Sequence, residues 1–137
     1  EKPYEKPNIT ERKGLITSRV GQGVYRRELL NKFQNKCAVT GVELKEVLIA
    51  SHIVPWRDSN DKERRDVNNG ILLSPTYDAL FDKHLISFDD FGRIIISSKI
   101  KNLANVLGID LNAQIKVDDE MKNYLSRHRQ KFRETSH

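Results

Sequence analysis

Between Ala50 and Ser87 the sequence reads ASHIVPWRDSNDKERRDVNNGILLSPTYDALFDKHLIS, and its punctuation leaves room for few local structures. An apolar strand pattern runs from Val47 to Ala50, continues through Ser51, His52 and Ile53, and stops at Pro55. A charged loop follows, and Asn69-Gly70 leads into a second apolar strand, Ile71 to Leu73. Ser74-Pro75 then opens a helix predicted to run to about Leu85, because a serine favours the cap and proline lacks the N–H left over at the first helical position. The local order is strand, loop, strand, helix.

Polar residues fall on this framework in a pattern. Asp78 and Asp82 are four apart, so both carboxylates project from one helix face, while Tyr77, Phe81 and Leu85 form an apolar stripe on another. Two like charges at that spacing weaken a helix by a few tenths of a kcal/mol, and a divalent cation would compensate. Magnesium favours oxygen ligands and commonly sits on one or two carboxylates, with water and substrate phosphate completing its shell. His52, on the facing strand, is then placed to act as a base, since an imidazole titrates near neutrality.

His52, Asn69 and Asp78 resemble the signature positions of the HNH nuclease family, whose ββα-metal fold is this strand, loop, strand and helix. The lines CAVTG, ASHIVPW and NNGILLSPTYDALFDKHLISFDDFGRIIIS are most similar to the bacterial restriction-type subgroup, over roughly Gly21 to Ser98. The resemblance implies a metal-dependent endonuclease acting on double-stranded DNA and leaving 5′ phosphates. His52 would be the general base, and Asn69 would bond backbone across the loop and hold His52 in place. Asn69 is preferred over Asn68 because it lies nine residues before Asp78, the spacing of the family motif. Asp78 would bind metal where many members have histidine, and Asp82 would be a second ligand.

Two positions depart from the family pattern. Many members carry a metal-binding acid or histidine just before the catalytic histidine, whereas Ser51 stands here with a weaker hydroxyl ligand. Cys37 is the only cysteine, so the pairs that build a structural zinc knuckle in some members are missing. The expected ion is therefore magnesium or manganese, with no structural zinc.

At 137 residues the chain is long enough for one domain with a modest core, and the expected class is α+β. The ββα core, residues 47–87, would carry an N-terminal helix, an additional hairpin and C-terminal helices. Residues 1–20 read as a linker or N-terminal extension and 21–137 as the nuclease domain. The polar, proline-containing start lacks an initial methionine and suggests a fragment whose upstream part is a DNA-recognition domain. No apolar run approaches membrane-spanning length, and one cysteine fits a reducing cytoplasm. A net charge of +5 favours a polyanionic partner. One active site cuts one strand, so double-strand cleavage would need a homodimer or two visits.

Elsewhere, Tyr25, Leu29 and Phe33 mark a helix from Gly23 to Gln34. Arg19, Arg26 and Arg27 beside that stripe, and Arg57, Arg64 and Arg65 in the charged loop, are candidate DNA contacts, against the plainer reading of solvated charge. Cys37 and Trp56 read as packing residues. His84 could bind metal, touch phosphate or interact with the helix end, the last two being favoured. Ile86 to Ser97 reads as a hairpin, Ile100 to Leu107 as a short helix stopped by Gly108, and Asp118-Asp119 as the start of a last helix. The basic second half of that helix reads equally as a DNA patch or a solvated face. A lone histidine beside apolar residues is more often structural than catalytic, and only its company with Asn69, Asp78 and Asp82 favours His52 as a base. The alternatives are a non-catalytic nucleic-acid-binding module on the same scaffold, or a partner-binding domain whose basic charge is incidental.

Overall fold

The computed structural model of the protein describes the backbone of residues 9–135 and the side chains of residues 20–135. Helix α1 (Ile9–Lys32) buries Tyr25 and Leu29, and Phe33 packs against the same cluster just past its end, so the expected stripe faces the core. The helix begins well before the expected Gly23, so residues 9–20 of the expected extension are helical. It stops where Gln34 and Asn35 both turn left-handed, at φ of 56° and 60°.

Strands β1 (Ile49–His52) and β2 (Gly70–Leu73) form the central antiparallel hairpin, pairing Ser51 with Ile71 and His52 with Gly70. Val47 falls outside β1, in a turn where its N–H donates to the Leu44 carbonyl at 3.0 Å. Successive strand side chains point to opposite faces, so Ser51 meets helix α3 (Pro75–Asp82) while the neighbouring His52 meets α1. Both faces being covered, all four β2 residues are buried, which explains an uninterrupted apolar run instead of an alternating one.

Two details of α3 depart from the sequence reading. The Ser74 hydroxyl does not cap the helix; it accepts from the Cys37 thiol at 3.6 Å, while the Ser74 N–H donates to the Cys37 sulfur at 3.3 Å. The helix also stops at Asp82, short of Leu85, because His84 takes φ 58°. Its N–H reaches the Phe81 carbonyl at 3.1 Å and the Leu85 N–H reaches Leu80 at 2.9 Å, the closure a left-handed residue allows.

Strands β3 (Ile86–Phe88) and β4 (Ile94–Ile96) form the expected second hairpin, with Ile86 opposite Ile96. Gly92 in its turn has φ 82°, and a Cβ there would lie 1.9 Å from the Ile115 carbonyl oxygen, so only glycine fits. The charged loop between β1 and β2 is not irregular throughout. Helix α2 (Asp61–Arg65) interrupts it, started by a reciprocal cap in which Glu63 N–H donates to Asn60 Oδ1 at 2.8 Å and Asn60 N–H to Glu63 Oε1 at 3.0 Å. The short helix α4 (Ala104–Leu107) ends at Gly108, φ 73°. The fold is thus α+β, a ββα core with helices and a second hairpin around it. Among the described residues no helix is long and apolar enough to cross a membrane.

Helix α5 (Asp119–Thr135) buries Met121, Leu125, His128 and Phe132 and packs on β3. Its basic half is neither merely solvated nor an open patch. Arg127 pairs with Glu63 at 2.6 Å, Lys131 with Asp58 at 2.5 Å, and the Tyr124 hydroxyl donates to Asp66 at 2.7 Å, so one helix face grips the 58–66 loop. Arg129 turns the other way, to the Phe88 carbonyl and Asp90, both at 3.0 Å.

His128 is sandwiched between Phe81 (3.9 Å between ring centroids) and His84 (4.4 Å). A carbonyl can only accept, so Nε2–H donates to Phe81 O, and Nδ1 accepts from the Ser87 hydroxyl, each at 2.8 Å. Burial, against the pull of the Phe81 carbonyl, lowers its pKa to about 3. The folded chain thus refuses a proton that the unfolded chain binds below about 6.5. We expect stability to be unaffected by this group above pH 6.5 and to be lost as pH falls from there toward 3. Urea unfolding across that range should show a steeper pH slope for the wild-type chain than for His128→Asn; equal slopes would refute the assignment. The α5 grip has its own test. Arg127→Glu and Glu63→Arg should each lower the melting temperature, and their combination should recover part of the loss; a double variant no better than the singles would mean that the pair does not hold the loop.

Candidate active site

Asn69 is fully buried where the β1–β2 loop returns to the hairpin. Its Oδ1 accepts the Val54 N–H at 2.8 Å, and its Nδ2 donates to Ser59 Oγ at 3.2 Å and to the Glu63 carbonyl at 3.0 Å. A buried amide left unpaired would cost about 1–3 kcal/mol per group, so these bonds define the loop path. Asn69 thus bonds Val54 on one arm of the loop and Ser59 and Glu63 on the other, and none of its side-chain bonds is to His52 itself.

His52 closes β1 beside that loop. Its Nε2 lies 2.9 Å from the Arg64 carbonyl, which can only accept, so Nε2 carries the proton and Nδ1 keeps its lone pair. The ring lies flat on Tyr25, 4.2 Å between centroids and 5° between planes, with Trp56 edge-on at 5.7 Å. Burial lowers the His52 pKa, partly offset by the Arg64 carbonyl, and the nearby Arg64 charge pushes the same way as burial. Burial thus favours the neutral form of the imidazole. A groove of about 370 Å³ opens beside it, lined by Gln22, Tyr25, Arg26, Ala50 and Trp56 among others.

On the opposite face of the strand, the Ser51 hydroxyl bonds Asp78 Oδ1. Asp78 is partly buried and Asp82, one turn on, is exposed. Burial raises the Asp78 pKa, the Ser51 bond opposes it, and the Asp82 carboxylate adds to the rise. Carboxylate oxygens are the donors that a hard divalent ion takes, with water and phosphate completing its shell. Among the described residues no group of three or more His, Cys, Asp or Glu side chains is arranged to hold a metal. Asp78, bonded to Ser51, and the exposed Asp82 one turn on are the carboxylates that α3 carries here. His84 is buried beyond the helix end; burial and Lys131 lower its pKa while Asp82 opposes them. It lines a cleft of about 240 Å³ with Val54, Asp58 and Lys131.

The arginines singled out by sequence divide. Arg26 holds the Leu48 and Lys45 carbonyls, each at 2.7 Å, and so ties α1 to the segment leading into β1. Arg64 lies over the Trp56 ring at 4.6 Å and donates to its carbonyl at 2.8 Å, with Asp61 at 3.5 Å. Arg27, Arg57 and Arg65 are exposed, Arg65 donating to the Asp61 carbonyl at 3.2 Å. The side chain of Arg19 lies outside the described residues.

Sequence reasoning missed three contributors. Tyr25 read as one more apolar residue of a helical stripe. The carbonyls of Glu63 and Arg64 carry no side-chain signal at all. The α5 ties to residues 58–66 join positions far apart in the chain, and no periodicity links them.

No curated protein matches the chain at significant similarity. One family does: residues 37–89, which hold β1, the Asn69-stapled loop, β2 and α3 and run on through β3, match the family model described as HNH endonuclease, and the match suggests a nuclease.

Proposed function

We propose that the protein is a metal-dependent endonuclease that hydrolyses phosphodiester bonds of double-stranded DNA, with His52 as general base. The observation that carries this reading is a neutral imidazole of set tautomer, one residue along the strand from a hydroxyl bonded to a raised carboxylate. The match over residues 37–89 and the net charge of +5 support a nucleic-acid substrate.

In the proposed reaction, Nδ1 of His52 takes a proton from water, whose oxygen attacks phosphorus while the bond to the 3′ oxygen breaks. The products are a 5′ phosphate and a 3′ oxyanion, which takes a proton from solvent to become the 3′ hydroxyl while the His52 proton is released to solvent. The Arg64 carbonyl, accepting from Nε2–H, favours the imidazolium that forms. Asn69 keeps that carbonyl in place by bonding the adjacent Glu63 carbonyl. Asp78 and Asp82 would hold magnesium or manganese, which when bound supplies charge neutralisation at the phosphate and leaving oxygen. Exposed Arg27, Arg57 and Arg65 would contact the backbone, and Arg19 is assigned with them on sequence alone. A cytoplasmic, restriction-type role with an upstream recognition domain, and a second copy for cutting both strands, complete the reading.

Nicking of supercoiled plasmid with magnesium, manganese or EDTA tests it. His52→Ala should slow cleavage by about 10²–10⁴-fold with the fold intact, the usual reach of a general base. Asp78→Ala should remove activity and metal affinity together, and Asn69→Ala should cost both stability and rate. DNA bound but never nicked, whatever the metal, would favour a non-catalytic binding module, a reading that Ser51, standing where many HNH nucleases have a metal-binding acid or histidine, supports. The pH profile is a second test. Because burial holds His52 below 6.5, nicking at saturating metal should persist below that pH and fall only as the imidazole protonates. A midpoint at or above 6.5 would exclude His52 as the titrating base.

A further inference from the structure

The matched segment begins at Cys37, yet the side chain lying flat against His52 comes from the helix before it. We propose that Tyr25 is a positioning residue for His52, fixing the plane of the imidazole from α1 through the gap that Gly70 leaves in β2. Its catalytic consequence rests on the nuclease reading; the positioning itself does not.

An imidazole on a strand end has two side-chain rotations to restrain. The Nε2–H bond to Arg64 O, 2.9 Å, limits rotation within the ring plane but leaves the ring able to tilt about that bond. The Tyr25 ring removes the tilt, because the two planes lie within 5° at 4.2 Å. Trp56 closes one edge. Tyr25 is in turn anchored at its far end, where its hydroxyl donates to the Asn69 carbonyl at 2.6 Å in a buried setting. Burial, reinforced by the Asp66 charge, keeps that phenol protonated and hence a donor.

Gly70 makes the approach possible. It is the cross-strand partner of His52, and a Cβ there would sit 2.3 Å from the Tyr25 hydroxyl and 2.8 Å from Leu29 Cδ1. Real Cβ atoms do not come that close to other atoms, so any side chain at 70 would push the phenol out. Gly70, Tyr25, Asn69 and His52 form one closed unit: the glycine admits the phenol, the phenol bonds the asparagine's carbonyl, and its ring sets the histidine. A tyrosine serving only as core filling would need neither the coplanar ring nor a glycine opposite the histidine.

The test uses the full chain. In proton NMR, the His52 ring proton at Cε1 should be shifted upfield in the wild type by the Tyr25 ring current. In Tyr25→Leu the upfield shift should vanish. Plasmid nicking should fall by about ten- to a hundred-fold in kcat, the cost of a misplaced reacting group, while DNA affinity stays within about twofold. Tyr25→Phe, which keeps the ring, should retain the shift and most of the rate. Gly70→Ala, which displaces the phenol without removing it, should reproduce Tyr25→Leu and serves in its place if that variant does not fold. A His52 resonance unchanged in Tyr25→Leu or Gly70→Ala overturns the positioning. A wild-type chain that nicks no DNA overturns the nuclease reading instead, and the NMR arms still decide the role of Tyr25.

Discussion

A primary amide sealed away from water must find all its partners inside the protein, and Asn69 finds them on both arms of the β1–β2 loop. Its oxygen holds Val54 on the way out, and its nitrogen holds Ser59 and Glu63 farther along. Its own carbonyl takes the Tyr25 hydroxyl. Each bond fixes one point of a segment that has little apolar material of its own. The Arg64 carbonyl next to the Glu63 anchor then falls within 2.9 Å of His52. Losing the amide would strand several buried groups at once, so the loop and the imidazole are energetically one object.

Two helices outside residues 37–89 hold that object from its two ends. From α1 come Tyr25 beneath the imidazole and Arg26 under the segment leading into β1. From α5 come Tyr124, Arg127 and Lys131, spaced to lie on one helix face and to meet Asp66, Glu63 and Asp58 in turn. Surface ion pairs contribute little singly, commonly under about 1 kcal/mol. Here their effect is geometric: three contacts along one helix restrict a loop that a single contact would leave free to pivot.

Burial acts on the two sides of β1 in opposite chemical directions. It lowers the His52 pKa, favouring the neutral imidazole, and it raises the Asp78 pKa, disfavouring the charged carboxylate. Paired titratable groups pushed apart in this way are a recurrent arrangement in sites that combine a proton acceptor with a charge-binding group. Alternation of side chains along a strand is what separates them, since Ser51 and His52 are neighbours in sequence but face α3 and α1 respectively.

The α+β class, both hairpins, the Pro75 helix start, the Gly108 stop and the burial of Tyr77 and Phe81 were legible in the sequence, because each depends on neighbours within a few residues. The spacing of His52, Asn69, Asp78 and Asp82 was also legible, but not that His52 and Asp78 belong to opposite faces of β1. Where local rules misled, a distant partner had intervened. Ser74 faces Cys37 and leaves the helix uncapped by its hydroxyl. His84, packed on His128, takes a left-handed turn that ends α3 early. The basic run of α5 met acids far back in the chain. The sequence by itself determined the order of elements and which polar side chains each one carries. Only the tertiary structure decided which nitrogen of His52 holds a proton, which ring sets its plane and which arginines are already committed, because those depend on carbonyls and faces that no side-chain pattern encodes.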